Sequence, residues 1–179
     1  MPVKITDKLD FPGLKSQFSK LNGATVRIQI DDDKKLLIAS ANEFGAIISI
    51  DPVKAKRAKR FLAILAKKHG ITLVPNGKDY IEIPERSFFR STFDDVEIQN
   101  KVVETVSFYL HQYLEGRNTA REILTRAGNI LRNAIQARIA SQLPPSNHPL
   151  TEAMKGHNRT LEGTSKNLIK SIKLVVELA

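Results

Sequence analysis

The residues that most invite a chemical interpretation are lysines and arginines that lie between Val53 and Gly70 with no acidic residue among them. They are Lys54, Lys56, Arg57, Lys59, Arg60, Lys67 and Lys68. The chain has a net charge of +9, so these seven cations leave only +2 for the rest of it. One basic element on a nearly neutral body predicts a local contact, with nucleic-acid phosphates or with an acidic protein surface. A solvated helix face is the alternative interpretation.

The other reactive residues are not arranged for catalysis. Asp31, Asp32 and Asp33 are consecutive, so their carboxylates point to different sides, as in a solvated turn and helix cap rather than a metal site. His148 and His157 lack further ligands at the spacing that zinc requires. The chain also has no cysteine, no nucleophile elbow and no glycine-rich phosphate loop. We therefore expect a protein that is not an enzyme and that binds no metal or cofactor.

A third group of residues combines arginine with aromatic side chains. Residues 86–93 contain two arginines and three phenylalanines, in a chain with only 6% aromatic residues. The phenylalanine rings favour a core anchor at this point. The functional alternative is that Arg86 and Arg90 form ion pairs, within the domain or across a subunit boundary, and Glu43 is the candidate partner.

Hydrophobic periodicity predicts the elements that must position these groups. It indicates an α+β fold in which a small, mostly antiparallel or mixed sheet packs against two long helices. The strands are expected at 24–30, 46–50, 80–83 and 172–178, and the long helices at 96–114 and 119–142. Shorter helices are expected at 9–21, at 34–44, at 52–68 (the basic helix) and up to residue 169 after a Thr164-Ser165 cap.

Two connections between these elements stand out. Residues 71–74 and 80–83 predict a hairpin around Asn76-Gly77. We expect residues 52–83 to be a basic helix-plus-hairpin excursion from a single domain, 1–179. Residues 143–163 begin at a Pro-Pro pair and lack periodicity, and a loop of that length is usually functional or disordered. We expect its backbone groups to be available to a partner chain, a mobile loop tip without a role being the alternative.

Several blocks of the chain, in order, resemble the neck and tail-completion proteins of tailed bacteriophages, including the virion morphogenesis group. The blocks are Asn-Glu-Phe-Gly at 42–45, Ile-Pro-Glu-Arg-Ser-Phe-Phe-Arg at 83–90, the Pro-Pro-containing stretch 143–151, Lys-Gly at 155–156 and Gly-Thr-Ser to Ser-Ile at 163–172. The sequence departs from the family pattern at Arg159-Thr160 and at Glu162.

The resemblance implies a structural virion protein that forms a ring at the head–tail junction. Its partners would be further copies of itself, six in a closed ring, and neck proteins such as the head connector and the tail terminator. The implied interface residues are Glu43, Arg86, Arg90, Pro144, Pro145, Asn147, Thr151, Lys155, Gly156 and Thr164. Genomic DNA passing through such a ring would be a non-specific partner of the basic helix.

Two alternatives stay open at this point. One is a non-specific nucleic-acid-binding protein in which residues 54–68 carry the affinity, and the other is an assembly factor absent from the finished particle. No apolar run is long enough to cross a membrane, and no signal-peptide core follows Met1. We therefore expect assembly in the host bacterial cytoplasm, with no membrane partner.

Overall fold

The computed structural model describes residues 11–73, 80–163 and 167–178, which adopt the α+β fold that the sequence predicts. The helices in this part of the chain are α1 (Phe11–Leu21), α2 (Asp33–Phe44), α3 (Pro52–Lys68), α4 (Arg90–Phe93), α5 (Val96–Leu114), α6 (Ala120–Ala140), α7 (Pro149–Lys155) and α8 (Asn167–Ser171). The strands are β1 (Thr25–Ile30), β2 (Ala46–Ser49), β3 (Tyr80–Ile83) and β4 (Ile172–Glu177).

Helix α6 lies at the centre of the fold. Its apolar residues recur at the spacing of one helical face, and Ile123, Ala127, Ile135 and Ile139 are buried. Ile135 and Ile139 pack with Phe88 in the main hydrophobic cluster, where all three have no exposed surface. Burying a side chain of this size contributes about 1.5–3 kcal/mol, so this cluster contributes several such increments to stability.

Strands β1 and β4 form an antiparallel sheet that packs on α6, with a register from Thr25 opposite Glu177 to Ile30 opposite Ile172. The prediction that the first and last strands share a sheet is confirmed. Gly128 permits the close approach of α6, because a Cβ atom there would overlap Leu174 Cδ1 and lie 2.8 Å from Val26 Cγ1.

The prediction of one four-stranded sheet is wrong, because β2 and β3 form a separate two-stranded sheet. Their register runs from Ala46 opposite Ile83 to Ser49 opposite Tyr80. Helix α2 intervenes between β1 and β2 and packs beside β1, so the chain has left the first sheet before β2 begins.

The predicted hairpin of residues 71–74 with 80–83 is also wrong, because β3 pairs with β2 instead. Residues 71–73 form no strand, and residues 74–79 lie outside the described part of the chain. Helix α3 therefore connects the two strands of one ribbon. We call β2, α3 and β3 together the arm, and the remaining elements the body.

The boundaries of several other elements differ slightly from the predicted ones. Helix α8 extends to Ser171, two residues beyond its predicted end, the last strand begins at Ile172 as predicted, and α6 ends at Ala140 rather than at residue 142. The stretch 143–163, predicted to be an irregular loop, contains α7. Residues 9–10 and the Thr164-Ser165 cap lie outside the described residues. No helix within those residues is both long enough and apolar enough to cross a membrane.

Candidate assembly site

The Glu43 carboxylate is the centre of a buried polar cluster at the base of the arm. Its side chain is only 5% exposed, and its oxygens accept hydrogen bonds from the backbone N–H groups of Phe88 at 2.8 Å, Phe89 at 2.9 Å and Arg90 at 3.0 Å. The Ser87 hydroxyl donates at 2.7 Å, and Arg90 Nε donates at 3.2 Å. The predicted ion pair between Glu43 and Arg90 is therefore present within one chain.

The local sequence brings this carboxylate to the three N–H groups. Glu43 lies in the last turn of α2, and Gly45 ends that helix with a φ of +72°. A Cβ atom on Gly45 would lie 3.2 Å from both Ile83 O and Glu85 N, so the close crossing of the two chain segments favours glycine. Arg86 N donates to Asn42 O at 2.6 Å, which joins the segment after β3 to the end of α2.

Hydrogen bonding keeps the Glu43 carboxylate charged. Burial alone would raise its pKa, but the N–H groups of Phe89, Arg90 and Phe88 and the Ser87 hydroxyl favour the ionised form more strongly. The pKa of Glu43 therefore lies below its ordinary value. A carboxylate held in this way fixes the geometry of the backbone that surrounds it.

Arg90 connects the cluster to the surface. It donates to Glu85 Oε1 at 2.5 Å and to the Glu43 carbonyl at 2.9 Å, and its guanidinium lies 4.9 Å from the centre of the Phe44 ring. The hydrogen bonds to Glu85 and then to Glu43 raise the pKa of Arg90 above its ordinary value. Arg90 thus joins α2, α4 and the segment that leaves the arm.

Arg86 does not pair with Glu43, and it forms no ion pair among the described residues. Its side chain instead donates from Nε to Pro145 O at 2.8 Å and from a terminal nitrogen to Ser146 O at 3.4 Å. Burial lowers the pKa of the Arg86 guanidinium. The consequence is a direct connection between the base of the arm and the segment 143–162.

Side chains within residues 143–162 bond the backbone of that same segment. Lys155 Nζ donates to Arg159 O at 3.2 Å and to Thr160 O at 2.9 Å, and Asn147 Nδ2 donates to the same two carbonyls at 3.3 and 3.2 Å. The Thr160 hydroxyl donates to Leu143 O at 2.8 Å. The prediction of backbone groups available to a partner is therefore wrong for these carbonyls, because side chains of the same chain already bind them.

Gly156 determines where this segment folds back on itself. Gly156 ends α7 with a φ of +76°, which turns the chain back toward Asn147. Burial lowers the pKa of the Lys155 ammonium, and the nearby Arg86 guanidinium lowers it further.

The predicted interface residues of this segment are accessible, although its backbone is bonded. Those exposed are Pro144, Pro145, Thr151 and Gly156. Thr164 lies outside the described residues.

The arm exposes large apolar side chains on all three of its elements. On the ribbon, Ile47 is 71% exposed and Ile81 is 50% exposed. On α3, Phe61 is 60% exposed and Ile64 is 68% exposed, and Val53 is also exposed. No extended packing contact joins α3 to another helix or strand of the described residues, and the residues it buries are the small Ala55 and Ala66. Exposed apolar surface of this kind marks a site for contact with another molecule.

The basic residues of α3 share this exposed surface. Asp51 caps the helix by accepting from the N–H groups of Val53 and Lys54, and Pro52 occupies the first turn, as predicted. Lys54, Lys56, Arg57, Lys59, Arg60, Lys67 and Lys68 are all exposed. The helix thus presents both cations and apolar groups to solvent.

Three of the groups considered for metal binding are engaged elsewhere. Asp31 pairs with Lys173 at 2.6 Å, and Asp32 caps α2 and pairs with Lys35. His148 Nδ1 accepts from Leu150 N at 3.1 Å at the start of α7. Within 11–73, 80–163 and 167–178, no three or more histidine or acidic side chains are grouped so that they could hold a metal ion.

Comparison with protein-family models, with curated proteins and with solved structures finds no match to this chain. The functional argument therefore depends on the geometry of the arm, its base and the segment 143–162.

Sequence reasoning named Asn147 and Lys155 as interface residues but missed that they bond the backbone of their own segment. The roles of Asn147 and Lys155 as donors to carbonyls of residues 159 and 160 depend on a fold-back that no short motif specifies. Gly156 after a short amphipathic stretch is a helix-stop signal, and it could have indicated α7. Gly128, in the middle of a long helical pattern, is a signal for close packing.

Proposed function

We propose that this protein is a structural subunit of a tailed-bacteriophage virion that assembles into a ring at the head–tail junction. The observation that carries the proposal is the arm, in which a ribbon and a helix expose large apolar side chains beyond a firmly bonded base. A protein that functions by docking needs such a surface. Loss of apolar exposure on association would be the driving force.

The base of the arm is suited to presenting that surface in a fixed position. Glu43 and Arg90 join the end of α2 to the start of α4, the helices that precede and follow the arm in the chain. Interfaces form with less loss of entropy when the contacting surface is already ordered. The arm can therefore contribute to a contact without first being ordered by it.

Three of the blocks that resemble the phage family meet at this base. Residues 42–45 and 83–90 meet through the Glu43 carboxylate, and residues 143–146 join them through Arg86. Blocks that are far apart in the sequence thus form one structural unit, which supports a common role for them. The blocks alone do not distinguish a virion subunit from a transient assembly factor.

Quantitative mass spectrometry of purified virions tests the proposal, with the portal subunit as the internal reference. We expect this protein at roughly six or twelve copies per particle, as a closed cyclic ring requires. Absence from washed virions, with the portal subunit at its full copy number, would contradict the proposal. It would favour the assembly-factor alternative if the same infected cells contain the protein.

A second function is favoured by the exposed cations of α3, namely non-specific binding of nucleic acid. It predicts binding to short duplex DNA that falls steeply with salt. Glutamine at Lys54, Arg57, Lys59 and Arg60 should abolish that binding. The matched control places glutamine at four exposed lysines outside α3, which are Lys15, Lys20, Lys101 and Lys170. Equal loss of binding in both variants would indicate an effect of net charge and not a site on α3.

A further inference from the structure

We propose that the exposed side of α3 docks on the exposed side of α5 of a second copy of this chain. This contact rests on the ring assembly proposed above, and it names the two surfaces that would join neighbouring subunits. The occupant of the α3 surface is therefore another copy of the same protein, rather than DNA.

The α3 surface combines apolar and basic side chains in one stripe. Val53, Arg57, Phe61 and Ile64 follow one another at spacings of four, four and three residues, so they lie on the same side of the helix. Val53 is 63% exposed, and Phe61 and Ile64 are exposed to a similar degree. Lys54 flanks the stripe. Phosphates would bind the cations but would leave these apolar groups in water, so a protein surface matches the stripe better.

The α5 surface has the complementary composition. Val96, Val103 and Phe108 are each more than 60% exposed, although they belong to a helix whose other side packs on α6. Glu97 and Glu104 are exposed and lie seven residues apart, which places them on the same side of the helix beside Val96 and Val103. Apolar groups thus lie beside acids on α5, as they lie beside bases on α3.

The acids near this surface are available for an intermolecular contact. Asp94, Glu97 and Glu104 form no ion pair in the described parts of the chain, whereas other exposed acids such as Glu177 are paired within the fold. Lys101 lies at the edge of the same side. Three acids and one lysine still leave this surface negative, opposite a helix that carries seven cations and no acid. Such complementarity steers encounter and fixes the partner.

The contact is of the kind that closes a ring. It joins two different patches of one subunit, which makes it heterologous, and a ring requires such a contact. The helices also match in length, since 17 and 19 residues correspond to about 26 and 28 Å at 1.5 Å per residue. One arm can therefore lie along most of the α5 surface of its neighbour.

Cysteine crosslinking tests the contact directly, because the full chain has no cysteine of its own. Two single variants, Ile64→Cys and Val103→Cys, carry tags of different size and are mixed under mild oxidation. We expect mixed disulfide dimers at about tenfold the yield of either homodimer, because docking raises the effective concentration of only the mixed pair. Met154→Cys, at an exposed position on α7, replaces Val103→Cys in the control mixture and should give background yield.

Charge exchange tests the same contact independently. Lys54→Glu with Arg57→Glu, or Glu97→Lys with Glu104→Lys, should each reduce the crosslink about tenfold, since each places like charges across the interface. All four substitutions in one chain should restore it. Mixed dimers at background yield, predominant homodimers, or no restoration in the fourfold variant would each overturn the contact.

Binding of duplex DNA tests nucleic acid as the alternative occupant of the α3 surface. Background crosslinking together with DNA binding that Lys54→Glu and Arg57→Glu abolish would overturn the proposal in favour of nucleic acid. If virions contain the protein at ring stoichiometry but the crosslink fails, the ring uses other surfaces. If the crosslink forms but virions lack the protein, the self-association stands and the virion role does not.

Discussion

The core of the body and the arm of this protein use the same residue types in opposite ways. In the body, Ile135 and Ile139 have no exposed surface, whereas Ile64 on the arm is 68% exposed. In the body, the buried charges of Glu43 and Arg86 are hydrogen-bonded, whereas the cations of α3 face solvent. The core of the body therefore supplies most of the free energy of folding, whereas the arm, like the exposed side of α5, leaves apolar surface in water; in our proposal that surface serves association.

Among the tests of this division between body and arm, removal of β4 should have the largest effect on stability. Every residue of β4 is paired with β1, and Ile172 belongs to the main cluster against α6. We expect that deleting residues 171–179 abolishes cooperative unfolding in thermal denaturation, because both the sheet and the cluster lose their partners.

The matched control removes only residues 178–179, which follow the last paired residue, Glu177. It should melt within a few degrees of the full chain, since it changes stability little. A cooperative melt of the longer deletion near that of the full chain would show that the first sheet is not part of the body's core.

Sequence patterns predict the body much better than the arm. The spacing of Ile123, Ile135 and Ile139 predicts α6 and its buried face, because burial against one neighbour imposes a period of 3.6 residues. Strands β2 and β3 are short and exposed, so their composition does not specify which strand they pair with. The separate sheet therefore depends on the position of α2, which no local pattern encodes.

The next largest effect is expected at Glu43. Gln at this position removes the charge and directs an amide N–H₂ group toward backbone N–H groups that have lost their acceptor. We expect Glu43→Gln to lower the free energy of unfolding by roughly 2–4 kcal/mol, as hydrogen bonds to charged groups are the stronger ones. Urea denaturation at neutral pH measures this change in the free energy of unfolding.

Glu85→Gln is the matched control, because Glu85 also binds Arg90 but its side chain is 56% exposed. Its cost should be below about 1 kcal/mol, as for other exposed ion pairs. Equal costs at the two positions would mean that the Glu43 cluster does not anchor the arm more firmly than a surface pair.

The dependence on pH has a defined sign. Because the pKa of Glu43 is lowered in the folded state, its contribution is fully present above the ordinary value of 4.5 and is lost as the pH falls through the lower, folded value. The difference in stability between the native chain and Glu43→Gln should therefore be constant near neutral pH and shrink in acid. A difference that grows below pH 4.5 would contradict the lowered pKa.

A smaller effect is expected at Gly128, where the body is most tightly packed. Alanine favours helix by about 1 kcal/mol over glycine, but its methyl group would overlap Leu174 and lie against Val26. Overpacking of this kind costs roughly 1–3 kcal/mol, so we expect Gly128→Ala to be destabilising. Gly116→Ala cannot serve as a matched control, because Gly116 has a φ of +75°, a conformation that strains a residue with a Cβ atom. Stabilisation by Gly128→Ala in urea denaturation would show that α6 can move away from the sheet.

The candidate site was predictable in its residues but not in its connections. Glu43 was the candidate partner of Arg86 and Arg90 because a planar guanidinium engages a carboxylate well, and Arg90 does pair with it. Arg86 has the same chemistry, yet it binds the carbonyls of Pro145 and Ser146, which lie about sixty residues further along the chain. Which partner an arginine reaches is decided by tertiary packing, so its type and local spacing do not determine it.

The smallest expected effect is the one that separates the two regions most directly. Ile64→Ala on the arm should change the free energy of unfolding by no more than about 0.5 kcal/mol, because little apolar surface is lost from a side chain already in water. The same substitution at Ile135, which has no exposed surface, should cost about 2–5 kcal/mol, since it leaves a cavity. Both are measured by urea denaturation at low protein concentration, where association does not contribute. If Ile64→Ala were as costly as Ile135→Ala, α3 would be packed within the monomer, and its surface would not be available to a second copy.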